Sequence, residues 1–320
     1  MLNQKNKLSD IDIRDAFFDE LYNLAAKDPN VIFLTADMGA FSLEKFKRDL
    51  SSQYINVGVA EQNLVSVAAG LALGGKKVFI YAIAPFITQR CYEQIKIDLA
   101  CMCLPVTIIG AGAGIVYNSD GITHHATQDI AIMRTLPGMT IFNPADSVTA
   151  AAAVHIARNS NGPVYVRIDK GKLPLLYDKK NNFSDGMAIL KTGSDLIIIA
   201  TGTMVHQAFR AADKLAQHSI DTGIIDLYRI KPINEDLFLA AVKKARRIAT
   251  LEEHSVIGGI GSAVGEILAD RGMALPLKRI GIADKYCSGY GDREWMRKDY
   301  GLDIENICKI LVNDDEGIYV

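Results

Sequence analysis

No run of about 18 apolar residues occurs in this chain, so the sequence offers no helix long enough to span a bilayer. The first seven residues, Met-Leu-Asn-Gln-Lys-Asn-Lys, have no apolar core, and no secretory signal is expected. Neither sign of charge dominates. The 35 Lys and Arg against 37 Asp and Glu leave −2, which gives no electrostatic ground for a nucleic-acid partner. Five cysteines, at 91, 101, 103, 287 and 308, form no metal-ligand pattern. They read as reduced core residues of a cytoplasmic protein. There is no G-x-x-x-x-G-K-[ST], no serine nucleophile elbow, no C-x-x-C and no internal repeat.

What is present is an ordinary globular composition, 49% apolar and 22% charged, over 320 residues. That length favours two domains. Short Val/Ile-rich runs alternate with helical patterns. Strands are expected near 31–34, 54–57, 77–81, 105–110, 139–142 and 163–168. Helices are expected between them, including one over 86–99. The stretch 171–193 carries turn formers without a period and reads as a linker. A second set of strands follows at 196–200, 222–226, 247–251 and 277–280. The alternation implies an α/β fold with two mostly parallel sheets. The division is set at 1–180 and 181–320.

The chain is organised around residues 55–64, Ile-Asn-Val-Gly-Val-Ala-Glu-Gln-Asn-Leu. A strand end turns at Gly58, and an apolar helix begins with Leu64, Val67, Ala68 and Leu71 on one face. Glu61 sits on its first turn. One reading is a helix-terminal acid favoured by the macrodipole at roughly 0.3–1 kcal/mol. The other is a buried acid poised to exchange a proton with a ligand.

In parallel sheets ligands bind beyond the carboxyl ends of strands. Asp37, Phe86, the loop 111–125 and Arg167 all fall at such ends in this reading. The loop carries Asp120-Gly-Ile-Thr-His124-His125, either a solvated turn or a polar binding loop. Gly110-x-Gly112-x-Gly114 is not followed by a helix and is not a dinucleotide fingerprint. Gly259-x-Gly261 is assigned to tight strand–helix packing. Arg90 and Arg167 are candidate anion forks or ordinary ion pairs. Phe86 and Tyr92 are core or ligand platform.

Together these motifs resemble a known family. Residues 57–63 resemble the glutamate motif of the pyrimidine-binding domain in the transketolase family. Asp120–His124 resembles its D-G-x-T-H substrate loop, and Pro163–Arg167 is similar to its phosphate-arginine strand. Pro85-Phe86, residues 89–94, Lys231-Pro232 and residues 251–262 are similar to 1-deoxyxylulose-5-phosphate synthase more than to classical transketolase. The resemblance covers almost the whole chain. It implies a thiamine-diphosphate pyrimidine-binding domain followed by a transketolase C-terminal-like domain. Full-length members carry an N-terminal domain that holds diphosphate and Mg²⁺ through Gly-Asp-Gly and a later Asn-rich stretch. Neither is found here.

The resemblance therefore implies the C-terminal subunit of a split transketolase. It would be active only with an N-terminal partner subunit, as a homodimer of this chain within a 2:2 assembly. It would move a two-carbon ketol unit between sugars or sugar phosphates. Glu61 would hydrogen-bond the aminopyrimidine N1′, and Phe86 and Tyr92 would pack on that ring. Asp120 and His124 would meet substrate hydroxyls, Arg90 and Arg167 a terminal anion. Asp37 matches an acid after the first strand. The alternatives are a 1-deoxyxylulose-5-phosphate synthase-like subunit and a 2-oxo-acid dehydrogenase β-type subunit. D-G-x-T-H is not expected in the latter. A catalytically silent interface subunit is a third, against which intact Glu61, Asp120 and His124 argue.

Overall fold

The computed structural model describes residues 8–287 and 289–313. The first seven residues, read above for a secretory signal, lie outside the described residues. Two sheets carry the fold. The first has seven strands: β1 (Val31–Thr35), β2 (Tyr54–Asn56), β3 (Lys77–Ile83), β4 (Val106–Ala111), β5 (Thr140–Phe142), β6 (Val164–Ile168) and, from later in the chain, β10 (Arg229–Lys231). Their order is β10-β5-β6-β4-β3-β1-β2, and every pairing is parallel except β10 with β5. The second sheet holds β7 (Ala188–Lys191), β8 (Leu196–Ala200), β9 (Thr222–Asp226), β11 (Arg247–Ser255) and β12 (Leu277–Ile282). Its order is β12-β11-β8-β9-β7, with only β7 antiparallel.

Every residue of β1, β4, β6, β8 and β9 is buried. A parallel sheet covered by helices on both faces favours such runs, and that is why these strands read as mostly apolar stretches, broken only by a few buried polar residues such as Arg167 and Asp226. Among the described residues no helix is long and apolar enough to cross a membrane.

Four expectations are corrected. The linker contains β7, which closes the edge of the second sheet. β10 lies beyond residue 181 yet completes the first sheet. The helix expected over 86–99 is broken into Ala84–Thr88, Tyr92–Gln94 and a π-helical turn, Ile95–Ala100. Thr88 Oγ1 donates back to the Ala84 carbonyl at 2.7 Å, a local bond that competes with helix propagation. Finally, Cys101 and Cys103 are exposed, whereas Cys91, Cys287 and Cys308 are buried. The exposed pair lies in the turn that ends the π-helical segment, where Cys103 takes φ +52°.

The Gly259-x-Gly261 spacing serves a close approach. Glu252 accepts hydrogen bonds from the Ile260 and Gly261 amides at 2.7 and 2.9 Å. A Cβ on Gly259 would lie 2.0 Å from its carboxylate. Burial lifts the Glu252 pKa to about 7, against the pull of those two amides.

Asp226, at the end of β9, is fully buried and accepts a hydrogen bond from the Tyr177 hydroxyl at 2.7 Å. Burial raises its pKa well above the carboxylate range, and the Tyr177 bond only partly opposes this. A carboxyl raised in the folded state contributes stability below its unfolded pKa and loses it as pH rises. Asparagine imitates the neutral acid at every pH. Asp226→Asn should therefore raise the melting temperature at pH 7 by roughly 2–4 °C, the shift expected for about 1 kcal/mol in a chain of this size. Calorimetry should show that gain vanish below about pH 4, where the wild-type acid is protonated in both states. A loss of stability at neutral pH would contradict the assignment.

Candidate active site

The site gathers where β1, β2, β3 and β4 end. Asn56, the last residue of β2, organises the approach to Glu61. Its Oδ1 accepts from the Gly58 and Asp37 amides, and its Nδ2 donates to Asp37 Oδ1, each at 3.0 Å. Asp37 takes φ +55°, a left-handed conformation that aspartate tolerates better than most residues. Gly58, at φ +76°, makes the turn. The helix Glu61–Leu73 then starts with no side-chain cap, and Glu61 is only 4% exposed.

The carboxylate of Glu61 is paired. Arg90 Nη1 donates to Glu61 Oε2 at 2.6 Å. The break after Thr88 places Arg90 there, and its guanidinium carbon also lies 4.4 Å from the centre of the Phe86 ring. Phe86 meets His124 edge-on at 5.0 Å, and Tyr117 stands 6.3 Å from the same imidazole. Glu61, Arg90, Phe86, His124 and Tyr117 thus form one continuous chain of contacts. The Cys91 thiol below it donates to the Phe86 carbonyl. Burial first, and the charge of Glu61 second, push that thiol up to about 12, so it stays protonated.

His124 is half-buried, with Nδ1 3.0 Å from the Thr123 hydroxyl. His125 faces inward, and burial lowers its pKa below the ordinary imidazole value. Asp120 is exposed at the end of a short 3₁₀ turn, Asn118–Asp120. The second domain braces this loop. Asn118 Nδ2 donates to the Gly291 carbonyl at 2.6 Å, and the Tyr290 ring covers Gly121. Among the described residues no group of three or more metal-ligating side chains gathers, at the His pair or elsewhere.

Two expected residues stand elsewhere. Arg167 is 3% exposed, its Nε 2.7 Å from Asp129 Oδ2. Its Nη2 donates to the Ala126 and Glu253 carbonyls. A strand buried on both faces cannot present a guanidinium to solvent, so Arg167 ties the loop to the second domain rather than facing an anion. Tyr92 packs against the core and hydrogen-bonds Thr135 through its hydroxyl at 2.6 Å. It is not part of the Phe86–His124 contact.

Sequence reasoning missed the network behind the loop. Glu253 accepts from the Ile115 amide at 3.0 Å, from Arg293 at 2.7 Å and from Arg297 at 2.8 Å. Arg293 also grips Asp169, at the end of β6, with two bonds of 2.8 and 2.7 Å. Burial disfavours the Glu253 carboxylate, but the two arginines and the Ile115 amide outweigh it and bring its pKa down to about 2. The helix Arg293–Asp299 that supplies both arginines has no apolar period to announce it.

Comparison with known proteins bears on the family and the fold. The family model described as "Transketolase, pyrimidine binding domain" matches residues 9–174, and "Transketolase, C-terminal domain" matches 186–307. One subunit of the apulose-4-phosphate transketolase of Phocaeicola vulgatus is 38% identical over 299 residues, covering 92% of this chain and 95% of that one. The 1-deoxy-D-xylulose-5-phosphate synthase of Crocosphaera subtropica is 35% identical over 92% of this chain, which spans 46% of that protein. A solved split-gene transketolase, described as an inactive beta4 tetramer, superimposes with a TM-score of 0.86 at 33% identity. That match covers 95% of this chain and 98% of the other.

Proposed function

The chain belongs to the transketolase family, and we propose that it is the C-terminal subunit of a split, thiamine-diphosphate-dependent transketolase that moves a two-carbon ketol unit from a ketose to an aldose. The observation that carries the reading is the buried Glu61 carboxylate, set at a helix start and linked through Arg90 to the Phe86 ring and, beyond it, to His124. These residues fit an aminopyrimidine: an acid fixed in a largely apolar helix start, and an aromatic ring within the same cluster. When bound, thiamine diphosphate supplies the carbon nucleophile and electron sink for cleaving and remaking a carbon–carbon bond.

Glu61 would hold a proton at N1′ through a short, charge-assisted hydrogen bond, and its burial keeps water from competing. Phe86 would pack against the pyrimidine face. Asp120 and His124 would orient substrate hydroxyls. Asp37, fixed by Asn56, would help shape the entrance. The chain carries no diphosphate–Mg²⁺ motif, so Mg²⁺ and its ligands are assigned to an N-terminal partner subunit. Phe41 and Val59, 85% and 75% exposed, lie in the segments following β1 and β2 near the site. They suit burial in an assembly, which we take to be 2:2. Unpaired thiols at all five cysteines accord with a reducing cytoplasm. A phosphorylated sugar is the favoured substrate class, since the relative from Phocaeicola vulgatus is named for one.

The test is reconstitution with the product of a neighbouring gene that carries Gly-Asp-Gly. Calorimetry with Mg²⁺ should show thiamine diphosphate binding to the mixture at least tenfold more tightly than to this chain alone, and ketose consumption should need both chains. Tight, Mg²⁺-dependent binding by this chain alone would overturn the division of labour.

A further inference from the structure

Arg90 occupies both surfaces that an aminopyrimidine needs. Its Nη1 meets Glu61 Oε2 at 2.6 Å, and its guanidinium carbon lies 4.4 Å from the centre of the Phe86 ring. A guanidinium is flat and cationic, with N–H donors in its plane. An aminopyrimidine protonated at N1′ has the same three properties. It donates in-plane to a carboxylate, and its face packs on an aromatic ring. The two cannot hold the same carboxylate oxygen and the same ring face together.

The exposures of the pair also differ. The Glu61 side chain is 5% exposed and fixed at a helix start, whereas the Arg90 side chain is 45% exposed. The acid stays and the arginine, reaching in from solvent on a flexible stem, can leave. A buried carboxylate left without a partner would be costly in the cofactor-free chain. Arg90 meets that need.

We propose that Arg90 is an internal stand-in for the aminopyrimidine, pairing with Glu61 and covering Phe86 until the cofactor displaces it. The proposal rests on the cofactor reading above. It makes Arg90 a positioning residue that keeps the site in shape and weakens cofactor binding. The rival arrangement is a permanent partner, in which Arg90 keeps Oε2 while Oε1 meets N1′. The two differ in the sign of one measurement.

Arg90→Met keeps most of the stem and removes the guanidinium. Calorimetric titration of the reconstituted pair with thiamine diphosphate and MgCl₂ should give a Kd roughly tenfold lower than wild type. That is the scale of freeing a half-exposed ion pair together with the cation–π contact to Phe86. Arg90→Lys keeps a charge for Glu61 but cannot cover the ring, and should tighten binding by a smaller factor, about threefold. It also serves if Arg90→Met does not fold. An unchanged or higher Kd in the folded variants shows a permanent partner and ends the stand-in. If wild type and variants alike bind no thiamine diphosphate, the functional reading itself falls, and the stand-in with it.

Discussion

Glu61→Gln should leave the fold intact and cost roughly two orders of magnitude or more in turnover, the usual scale for losing positioned acid–base assistance. Glutamine keeps the size of the side chain and can still accept from Arg90 Nη1. What it loses is the carboxylate. The Arg90 side chain is 45% exposed, so the lost ion pair should weigh less than about 1 kcal/mol in stability. The macrodipole contribution of an acid in a first turn is of the same order. The melting temperature should thus move by only a few degrees. In the reconstituted pair, exchange of the thiazolium C2 proton should slow in step with turnover. If the acid serves only its helix, stability will fall slightly while exchange and turnover stay at wild-type values. That pattern would remove the central support of the functional reading.

How much of this was legible beforehand depended on whether the determining contacts were local. β1, β4, β6 and β8 were readable because burial on both faces makes them mostly Val, Ile and Leu in short runs. Glu61 was readable because Gly58 and the apolar helix lie within a few residues of it. β7 was not, because an edge strand with half-exposed residues after a turn-rich stretch has no period to detect. β10 is three residues long, too short for a pattern. Arg167 could be placed on a strand end, but its partner Asp129 is set by the helix that follows the loop, 38 residues earlier. No spacing rule connects the two. Arg90 meets Glu61 across 29 residues only because the expected helix breaks after Thr88. A hydroxyl bonding its own helix backbone is the one local hint of that break.

The same distance dependence hides Glu253, where the largest stability effect is expected. Its carboxylate satisfies the Ile115 amide and the guanidinium groups of Arg293 and Arg297. Glu253→Ala would leave Arg293 with Asp169 and Thr203, but Arg297, among the described residues, with Glu294 alone. Breaking a buried ion pair from one side costs about 3–5 kcal/mol, because the remaining charge stays desolvated. At roughly 2–4 °C per kcal/mol the melting temperature should fall by on the order of 10 °C. Glu253→Gln should fall between, since it keeps one acceptor and loses the charge.

The pH dependence carries a sign. The folded pKa of Glu253, about 2, lies below its ordinary 4.5. A depressed carboxyl contributes stability above the unfolded value and loses it as pH falls toward the folded one. That is roughly 3 kcal/mol between about pH 4.5 and 2. Neighbouring His254 acts in an adjacent window. Burial lowers it from 6.5 to about 4, so the unfolded chain alone takes up its proton between those values and stability again falls with acid. Glu252, raised to about 7, works the other way and loses stability as pH rises from 4.5 to 7. Wild type should therefore lose stability steeply below pH 4.5, and Glu253→Gln should lose it less steeply over the same range. Parallel melting curves for the two proteins from pH 5 to 3 would show that Glu253 does not hold the domains together. The loop that carries Asp120 and His124 would then need another anchor than the Ile115 amide.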